Sequence, residues 1–175
     1  MLVESGTVTG KSYGIYATGE TVEITGGTVE GGIFAPSGDL TIGNSSNAVS
    51  TTTPTIKQSS AGYGINAVNA TIRFYDGQIT GTISEGAING TVTATPANYM
   101  IGYAINGSAG TETAQLHRIS DYEAELEIGR YFVEIEDAFE YVNATSSSSN
   151  TIKVLKNITN PSTLMLNSGK TTALN

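Results

Sequence analysis

Side chains that could carry acid–base or metal chemistry are few in this sequence and lie far apart along it. The aspartates and the single histidine are Asp39, Asp76, Asp121, Asp137 and His117. Enzymes that hydrolyse sugar chains hold two carboxyl groups about 5 to 10 Å apart. Asp39 and Asp76 each lie beside a glycine, where turn formation explains an aspartate without any catalysis. We therefore predict no catalytic residue.

The sequence also has few residues that could bind a metal ion or a cofactor. His117 lies in the segment Gln115–Ile119, where we expect it on the solvent face of a strand. The chain has no cysteine, so a disulfide framework or a zinc site with cysteine ligands is not available. The sequence also lacks calcium-binding glycine repeats, a phosphate-binding glycine loop and a serine-nucleophile motif. We predict no metal site and no cofactor.

Aromatic residues provide the one candidate binding surface. Tyr16, Phe34 and Asn66 each follow an isoleucine at the same point of a repeated segment. If these isoleucines point inward, the residues after them point outward, because side chains alternate along a strand. Exposed stacked rings can bind a sugar or a partner protein, and they can also merely shield the aliphatic residues beneath. We call the predicted row of Tyr16, Phe34 and Asn66 the outer column.

The elements that position this column are short repeats bounded by glycine. The stretch Glu20–Gly38 predicts three short strands, Thr21–Ile24, Thr28–Glu30 and Gly32–Ala35, with apolar residues two apart or at the centre. Copies continue from about residue 5 to about residue 107, with a period of roughly 18 to 22 residues. Such a period is typical of a solenoid, in which each unit buries its apolar face against the next.

The short strands favour parallel pairing between successive repeats over hairpins, which need longer strands joined by two-residue turns. We predict three internal ladders of aliphatic side chains. Their members are Ile15, Ile33 and Ile65; Val8, Val29, Ile56 and Ile79; and Val22 or Ile24 with Ile42, Ile72 and Val92. The polar insertion Gly43–Thr53 interrupts the period, so we expect it to protrude as a loop that contributes nothing to the core.

The repeated Gly-Gly-Thr-Val and Gly-Ile-x-Ala segments resemble the right-handed parallel β-helix modules of large bacterial cell-surface proteins, especially Gram-positive ones. The resemblance implies an extracellular, elongated scaffold. It implies no particular activity, because the same coil serves lyases, adhesins and phage spikes. The predicted fold class is all-β, with a right-handed parallel β-helix in residues 1–110 and a C-terminal segment of short strands and one short helix in residues 111–175.

The C-terminal segment has a different pattern. Tyr122–Ile128 alternates between apolar residues and glutamates, which predicts a strand with one wet face at a sheet edge. The apolar spacing predicts an amphipathic helix over 136–143. Further strands are expected at Arg130–Glu134, Thr151–Ile158 and Leu164–Leu166. The order of helix, polar gap and late strands resembles the capping helix and first coil of a β-helix, so we expect a second β-helix-like module to begin here.

Charge and hydropathy exclude several partners. The net charge of −8 argues against nucleic acid and against an anionic membrane surface. No run of apolar residues is long enough to span a membrane. The first residues lead straight into a repeat without a signal peptide, so we expect the sequence to be a piece of a longer exported protein.

Two functions are compatible with these patterns. The favoured hypothesis is a structural or adhesive segment of a bacterial cell-surface or secreted protein, with carbohydrate or a host or cell-surface protein as partner. The alternative is a polysaccharide-active β-helix enzyme, either a lyase or a glycoside hydrolase. The shortage of acids and bases across residues 5–107 favours the scaffold. The expected oligomeric state is a monomer or an end-to-end oligomer.

Overall fold

The computed structural model describes residues 1–45, 49, 52–146, 149–159 and 161–175. These residues are mostly β, and among them are one α-helix, α1 (Ile135–Ala144), and one 3₁₀ turn at Ile119–Asp121. The strands are β1 (Leu2–Val3), β2 (Thr7–Thr9), β3 (Ile15–Ile24), β4 (Thr28–Glu30), β5 (Ile33–Ile42), β6 (Thr55–Ile56), β7 (Ile65–Asn66), β8 (Ala70–Phe74), β9 (Gln78–Thr82), β10 (Ile88–Asn89), β11 (Val92–Ala94), β12 (Tyr99–Asn106), β13 (Thr111–Arg118), β14 (Ala124–Leu126), β15 (Arg130–Phe132), β16 (Ser149–Val154) and β17 (Thr171–Leu174).

Parallel pairing joins successive repeats in residues 2–94, which we call the parallel region. In a seven-stranded sheet the order is β1-β3-β5-β7-β10, while β8 pairs with the second half of β5 and then with β11. In a ten-stranded sheet β2, β4, β6 and β9 follow one another, also in parallel. Each strand therefore pairs with its counterpart one repeat away, and the prediction of parallel sheet segments is confirmed.

Two of the predicted ladders are confirmed by the strand registers. Ile15, Ile33 and Ile65 are paired in sequence, and Ile88 extends their row by one member. Val8, Val29, Ile56 and Ile79 form the second ladder. All of the residues in these rows are buried except Val8 and Ile88, which lie at the ends and are partly buried.

The third predicted ladder is wrong in its membership. The structure places Val22, Leu40 and Ile72 in one row, whereas Ile24, Ile42 and Phe74 form another. The cause is the length of β5, which brings two inward positions to this face, so that two rows form where the repeat pattern suggested one. Val92 continues the row of Ile72.

The predicted short strands are joined around a corner into longer ones. β3 and β5 each run for ten residues, and their mutual register shifts between Tyr16 and Thr18 and again between Thr18 and Glu20. At this corner Gly38 has a φ of +103°, and a Cβ there would lie 2.3 Å from the Glu20 oxygen. Only glycine fits this combination of left-handed backbone and close approach.

Parallel pairing between successive repeats ends at Ala94, earlier than predicted. β12 and β13 form an antiparallel hairpin, and β13 pairs antiparallel with β9. The repeats that were expected up to about residue 107 therefore pair in parallel only through β11, since β12 and β13 are eight residues long and pair with each other along their full length. The expected division at residue 110 falls in the turn of this hairpin.

Residues 99–175, which we call the C-terminal region, complete the ten-stranded sheet. After β9, the strand order of this sheet continues through β13, β12, β15, β14, β16 and β17. β14 lies between β15 and β16 and is not at an edge, contrary to the prediction. It ends at Leu126, because the chain turns at Gly129, and Ile128 is consequently 69% exposed.

Helix α1 covers the predicted range 136–143 and adds one residue at each end. Its buried residues, Ile135, Ala138, Phe139 and Val142, form the predicted apolar stripe. The expected strand at Leu164–Leu166 is not formed, because the backbone there bonds to a side chain of α1. The Asn143 Nδ2 donates to the Met165 oxygen at 2.9 Å, and the Asn167 N–H donates to the Asn143 Oδ1 at 2.8 Å.

Two hydrophobic clusters form the interior. The larger one is lined by the aliphatic rows of the parallel region together with Ala114 and Leu116 of the hairpin. The smaller one packs α1 against residues of the C-terminal sheet such as Phe132 and Ile152. Ile83 and Ile105 also belong to the smaller cluster, so the hairpin shares its side chains between the two interiors.

The predicted loop 43–53 and the serine-rich link lie partly outside the described residues, which omit 46–48, 50, 51, 147 and 148. Val49 is described, and it is partly buried against the larger core. The prediction that this insertion contributes nothing to the core is therefore wrong at Val49.

Candidate functional site

The outer column is assembled by the register of the parallel sheet. Tyr16 lies beside Phe34, Phe34 beside Asn66, and Asn66 beside Asn89. The isoleucines that precede the first three of these residues are at most 3% exposed, whereas the Tyr16 side chain is 68% exposed. Strand alternation thus directs the column away from the core. From here on the outer column includes Asn89, which the sequence pattern had not singled out.

Aromatic rings at one end of the column form a contiguous patch. The ring centroids of Tyr16 and Phe34 are 5.1 Å apart, and those of Tyr13 and Phe34 are also 5.1 Å apart. The Tyr13 and Tyr16 centroids are separated by 6.4 Å. These distances lie in the range that favours tilted or offset ring pairs. Phe34 is therefore held between two tyrosines, and Tyr16 presents the most exposed ring.

Tyr13 is a member of this patch that the column prediction missed. It lies in the turn before β3, outside the alternation from which the column was derived. Tyr63 occupies the matching place two repeats later, and Gly31, which lies between them, has no side chain to fill the row. Hydrogen bonding to the Glu85 carboxylate raises the pKa of the Tyr63 phenol above its ordinary value. The repeated Tyr-Gly-Ile segment was the sequence signal for both tyrosines.

The other end of the column is formed by amides. The Asn89 Nδ2 donates a hydrogen bond to the Asn66 Oδ1 at 3.1 Å. This bond fixes the orientation of both amides along the stack. It leaves the Asn66 Nδ2 and the Asn89 Oδ1 without a hydrogen-bond partner among the described residues. One donor and one acceptor are thereby available on the outer surface.

The aspartates considered for catalysis lie at opposite ends of the β5–β8 pair. Asp39 is at the start of that pair and accepts a hydrogen bond from the Arg73 Nη1 at 3.0 Å. Asp76 follows its end, is only 7% exposed, and accepts the Gly77 N–H at 2.7 Å. Each carboxylate stabilises local structure, and the structure does not bring them together as a catalytic pair.

His117 lies on the expected outward face of β13, opposite the buried Ala114 and Leu116, but it is partly buried there. Its ring makes an edge contact with Tyr122, with centroids 6.2 Å apart. Burial lowers the pKa of His117, and the charge of Asp121 opposes this shift only in part. The Tyr122 hydroxyl donates to the Met100 oxygen at 2.6 Å. These contacts explain His117 and Tyr122 as packing residues.

A buried ion pair was missed by the sequence interpretation. Glu112 is fully buried, and its two carboxylate oxygens lie 2.5 and 2.7 Å from the Arg130 Nη2. The Glu112 Oε1 also accepts the Ala87 N–H at 2.6 Å. The Arg130 guanidinium lies 4.0 Å from the Tyr103 ring centroid and 4.7 Å from that of Tyr141. We call Glu112, Arg130, Tyr103 and Tyr141 the Glu112 cluster.

The Glu112 cluster joins the end of the parallel region to the C-terminal region. Ala87 precedes β10, whereas Arg130 begins β15 and Tyr141 belongs to α1. The sequence signal was available, because Glu112 shares its strand face with Ala114 and Leu116, both buried. A glutamate on an inward face requires a buried cation or hydrogen-bond donors. Because Glu112 and Arg130 are paired with each other, we interpret the cluster as a structural connection between the two regions.

Three further carboxylates, those of Glu123, Glu134 and Glu136, have oxygens within 4.8 Å of one another. Two of them have structural partners. Glu123 accepts the Ile135 N–H at 3.2 Å at the start of α1 and lies 3.6 Å from the Lys156 Nζ. Glu136 accepts the Ser162 N–H at 2.6 Å. Helix capping and chain attachment account for Glu123 and Glu136.

Comparisons with protein-family models, with curated proteins and with solved structures returned no match to this chain. Among the described residues, no helix has the length and apolar character needed to cross a membrane. The functional conclusion therefore rests on the residues and geometry of this molecule.

Proposed function

We propose that the parallel region forms coils of a right-handed parallel β-helix and serves as a rigid scaffold in a bacterial cell-surface or secreted protein. In this proposal the outer column is an adhesive surface for carbohydrate or for a protein of the host or cell surface. The proposal assigns no catalytic role to the outer column. The extracellular location follows from the resemblance of the repeats to bacterial surface modules.

Three features support closed coils. Strands on each face pair with their counterparts one repeat away, which is the pairing expected of a chain that coils back after every repeat. The two ten-residue strands bend at a shared register shift, which provides a corner. Parallel strands connected by a crossover are right-handed in nearly all known cases. These features favour a right-handed coil over a flat sheet.

A scaffold function fits the way in which the parallel region is held together. Its interior consists of continuous aliphatic rows, and close packing of this kind makes an interior rigid. Side chains on the outer surface then repeat at the strand spacing of about 4.8 Å. A rigid row with regular spacing presents several contacts to one ligand without loss of backbone entropy.

The observation that carries the adhesive role is the exposure of Tyr16 at the end of a supported stack of rings. A tyrosine that is 68% exposed adds little to the core. Phe34 nevertheless fixes its ring on one side. Aromatic residues held in this way are typical anchors of binding surfaces, because their large area is ordered before the ligand arrives.

The enzyme hypothesis has less support. A lyase or glycoside hydrolase needs acids and bases that face a common cleft. Asp39 and Asp76 are engaged in separate structural contacts at two ends of a strand pair. The outer column itself contains two aromatic residues and two amides, and none of them is a carboxylate.

Adhesion of the immobilised protein tests the proposal. Beads coated with the protein are expected to bind surfaces carrying polysaccharides or glycoproteins, and Tyr16→Ala is expected to weaken this binding. Tyr75→Ala provides the matched control, because Tyr75 lies just beyond β8 and outside the outer column. Unchanged adhesion by the Tyr16→Ala protein, or no adhesion to any surface by the wild type, would contradict the proposal.

A further inference from the structure

The spacing of the outer column matches an extended polymer. Its four positions lie on successive parallel strands, which are about 4.8 Å apart. In an extended chain of β-1,4-linked pyranoses, each sugar advances by nearly the same distance. A chain of this kind that runs along the stacking direction can keep one sugar near each strand, whereas a strongly curved chain cannot.

The chemistry of the column changes along its length in a way that suits sugars. Pyranoses carry C–H groups on their ring faces and hydroxyls on their edges. The Tyr16 ring, backed by Phe34, offers an apolar surface for a ring face. Beyond it, the Asn66 Nδ2 can donate to a hydroxyl and the Asn89 Oδ1 can accept from one, because their mutual bond leaves these two atoms available.

The composition of the column argues against a protein partner. Stable protein interfaces bury on the order of 1,200 to 2,000 Å² in total and have apolar centres. Among the described residues of the parallel region, the strongly exposed large apolar side chains are Met1, Leu2, Tyr16 and Val68. The outer column has no aliphatic side chain, and its amide half is polar. A narrow surface of this kind fits one extended sugar chain.

Charge restricts the class of sugar. The four side chains of the outer column carry no charge at neutral pH, while the chain as a whole has a net charge of −8. A polyanionic glycan would be repelled by this net charge and would find no cation in the column to compensate. A neutral glycan meets no such penalty.

From these four observations we infer that the outer column binds a neutral, extended, β-1,4-linked polysaccharide that lies along the stacking direction. One sugar ring packs on Tyr16, and hydroxyls further along the chain bond to Asn66 and Asn89. This inference rests on the proposed adhesive function and specifies its ligand. It predicts that a ligand must span about four strands, that is, about four sugars at a strand spacing of about 4.8 Å.

Titration calorimetry with defined oligosaccharides tests the inference. The neutral β-1,4-linked probes are cellohexaose, chitohexaose and mannohexaose, and at least one of them is expected to bind. Maltohexaose tests for chain curvature, and hexagalacturonic acid tests for charge; neither is expected to bind. Shorter members of the successful series are expected to bind more weakly, with affinity levelling off near the tetramer.

Variants locate the binding to the column. Loss of ring stacking in Tyr16→Ala is expected to weaken binding by up to about tenfold, while Tyr16→Phe keeps the ring and most of the affinity. Asn66→Ala and Asn89→Ala are each expected to cost a few-fold, and Tyr75→Ala is expected to bind like the wild type. Thermal unfolding of each variant controls for folding, and the exposure of Tyr16 makes its truncation structurally mild.

The outcomes separate this inference from the proposed function. Failure of all three neutral hexasaccharides, or binding that is unaffected by Tyr16→Ala, would overturn the inference. If beads then still adhere to protein-coated surfaces through Tyr16, the adhesive function stands with a protein ligand in place of the glycan. If adhesion through Tyr16 is lost as well, both fail.

Discussion

The parallel region and the C-terminal region are stabilised by different means. In the parallel region the same kind of aliphatic residue recurs at the same place of each repeat, and its ion pairs lie on the surface. The C-terminal region uses antiparallel and parallel pairing, one helix and a buried ion pair. Repetition makes the position of each strand depend on many equivalent contacts, whereas the C-terminal region depends on a few specific ones.

This difference predicts how each region responds to substitution. In the parallel region, a change is severe when it places a charge in an aliphatic row. In the C-terminal region, a change is severe when it separates the two ions of the Glu112 cluster. The following variants compare these two modes of stabilisation, beginning with the largest expected effect.

Ile33→Asp is expected to prevent folding of the parallel region. Ile33 is 1% exposed and lies between Ile15 and Ile65, so the carboxylate would have no partner. The cost of an unpaired buried charge exceeds about 4 kcal/mol, a large share of a typical domain stability. Circular dichroism and chemical denaturation measure the effect. Thr41→Asp is the control, because Thr41 lies beside Arg73 on the outer face, and a folded Ile33→Asp protein would contradict the ladder.

Arg130→Ala is expected to destabilise the protein by about 3 to 5 kcal/mol, because it leaves a buried carboxylate without its cation. Glu112→Ala is expected to cost a similar amount, since Arg130 and the Ala87 N–H would both lose their acceptor. Denaturant unfolding gives these free energies. The double variant Glu112→Ala with Arg130→Ala removes both charges, and we expect its loss to be smaller than the sum of the two single losses. Additive losses would show that the ions do not act as a pair.

Two neighbouring acids of α1 are expected to change stability with pH in opposite directions. Burial raises the pKa of Asp137 to about 6 from an ordinary value of 3.8. The contribution of Asp137 to the free energy of unfolding is therefore fully present below about pH 3.8 and is lost as the pH rises through about 6. Asp137→Asn can still accept the Ile105 N–H but does not titrate. Raising the pH from 4 to 8 is therefore expected to increase the free energy of unfolding of the variant relative to that of the wild type.

Glu136→Gln is the matched control for this prediction. The Ser162 N–H lowers the pKa of Glu136 below its ordinary value of 4.5. Its stabilising contribution is therefore present above pH 4.5 and is lost as the pH falls through the lowered value. Denaturant unfolding at pH 4 and pH 8 is expected to show opposite signs for the two variants. The same sign in both would contradict the burial of Asp137.

Lys57→Ala is expected to have the smallest effect, at most about 1 kcal/mol, because exposed ion pairs contribute little. Its Nζ lies 2.7 Å from the Glu30 Oε1, but the two side chains are 55% and 41% exposed. Denaturant unfolding of this variant beside Arg130→Ala compares a surface pair with a buried one. Equal losses of stability in Lys57→Ala and Arg130→Ala would contradict the claim that only the C-terminal region depends on a buried ion pair.

The parallel region could be predicted from sequence because its information is repeated. Ile15, Ile33 and Ile65 identify their row without knowledge of the rest of the chain. Prediction failed where one strand continued around a corner, because the repeat pattern does not show that β5 carries both Leu40 and Ile42 inward. The outer column followed from the same alternation, but Tyr13 lies in a turn, where alternation gives no direction.

The C-terminal region was harder to predict because its decisive contacts occur once. The helix 136–143 was identified by its apolar spacing, which is local. The position of β14 inside the sheet depends on β15 and β16, and no local pattern specifies them. Glu112 and Arg130 are eighteen residues apart, so only the inward position of Glu112 could have indicated that a cation had to meet it.

The central claim is that each strand of the parallel region pairs with its counterpart one repeat away. Scalar couplings across hydrogen bonds, measured by NMR between an amide nitrogen and a carbonyl carbon, test this claim directly. The account predicts couplings from Thr28 to Gly6, from Thr55 to Gly27 and from Gln78 to Pro54, whose N···O distances are 2.8, 3.0 and 2.9 Å. Couplings from these amides to carbonyls of their own repeat, as in a series of hairpins, would contradict it.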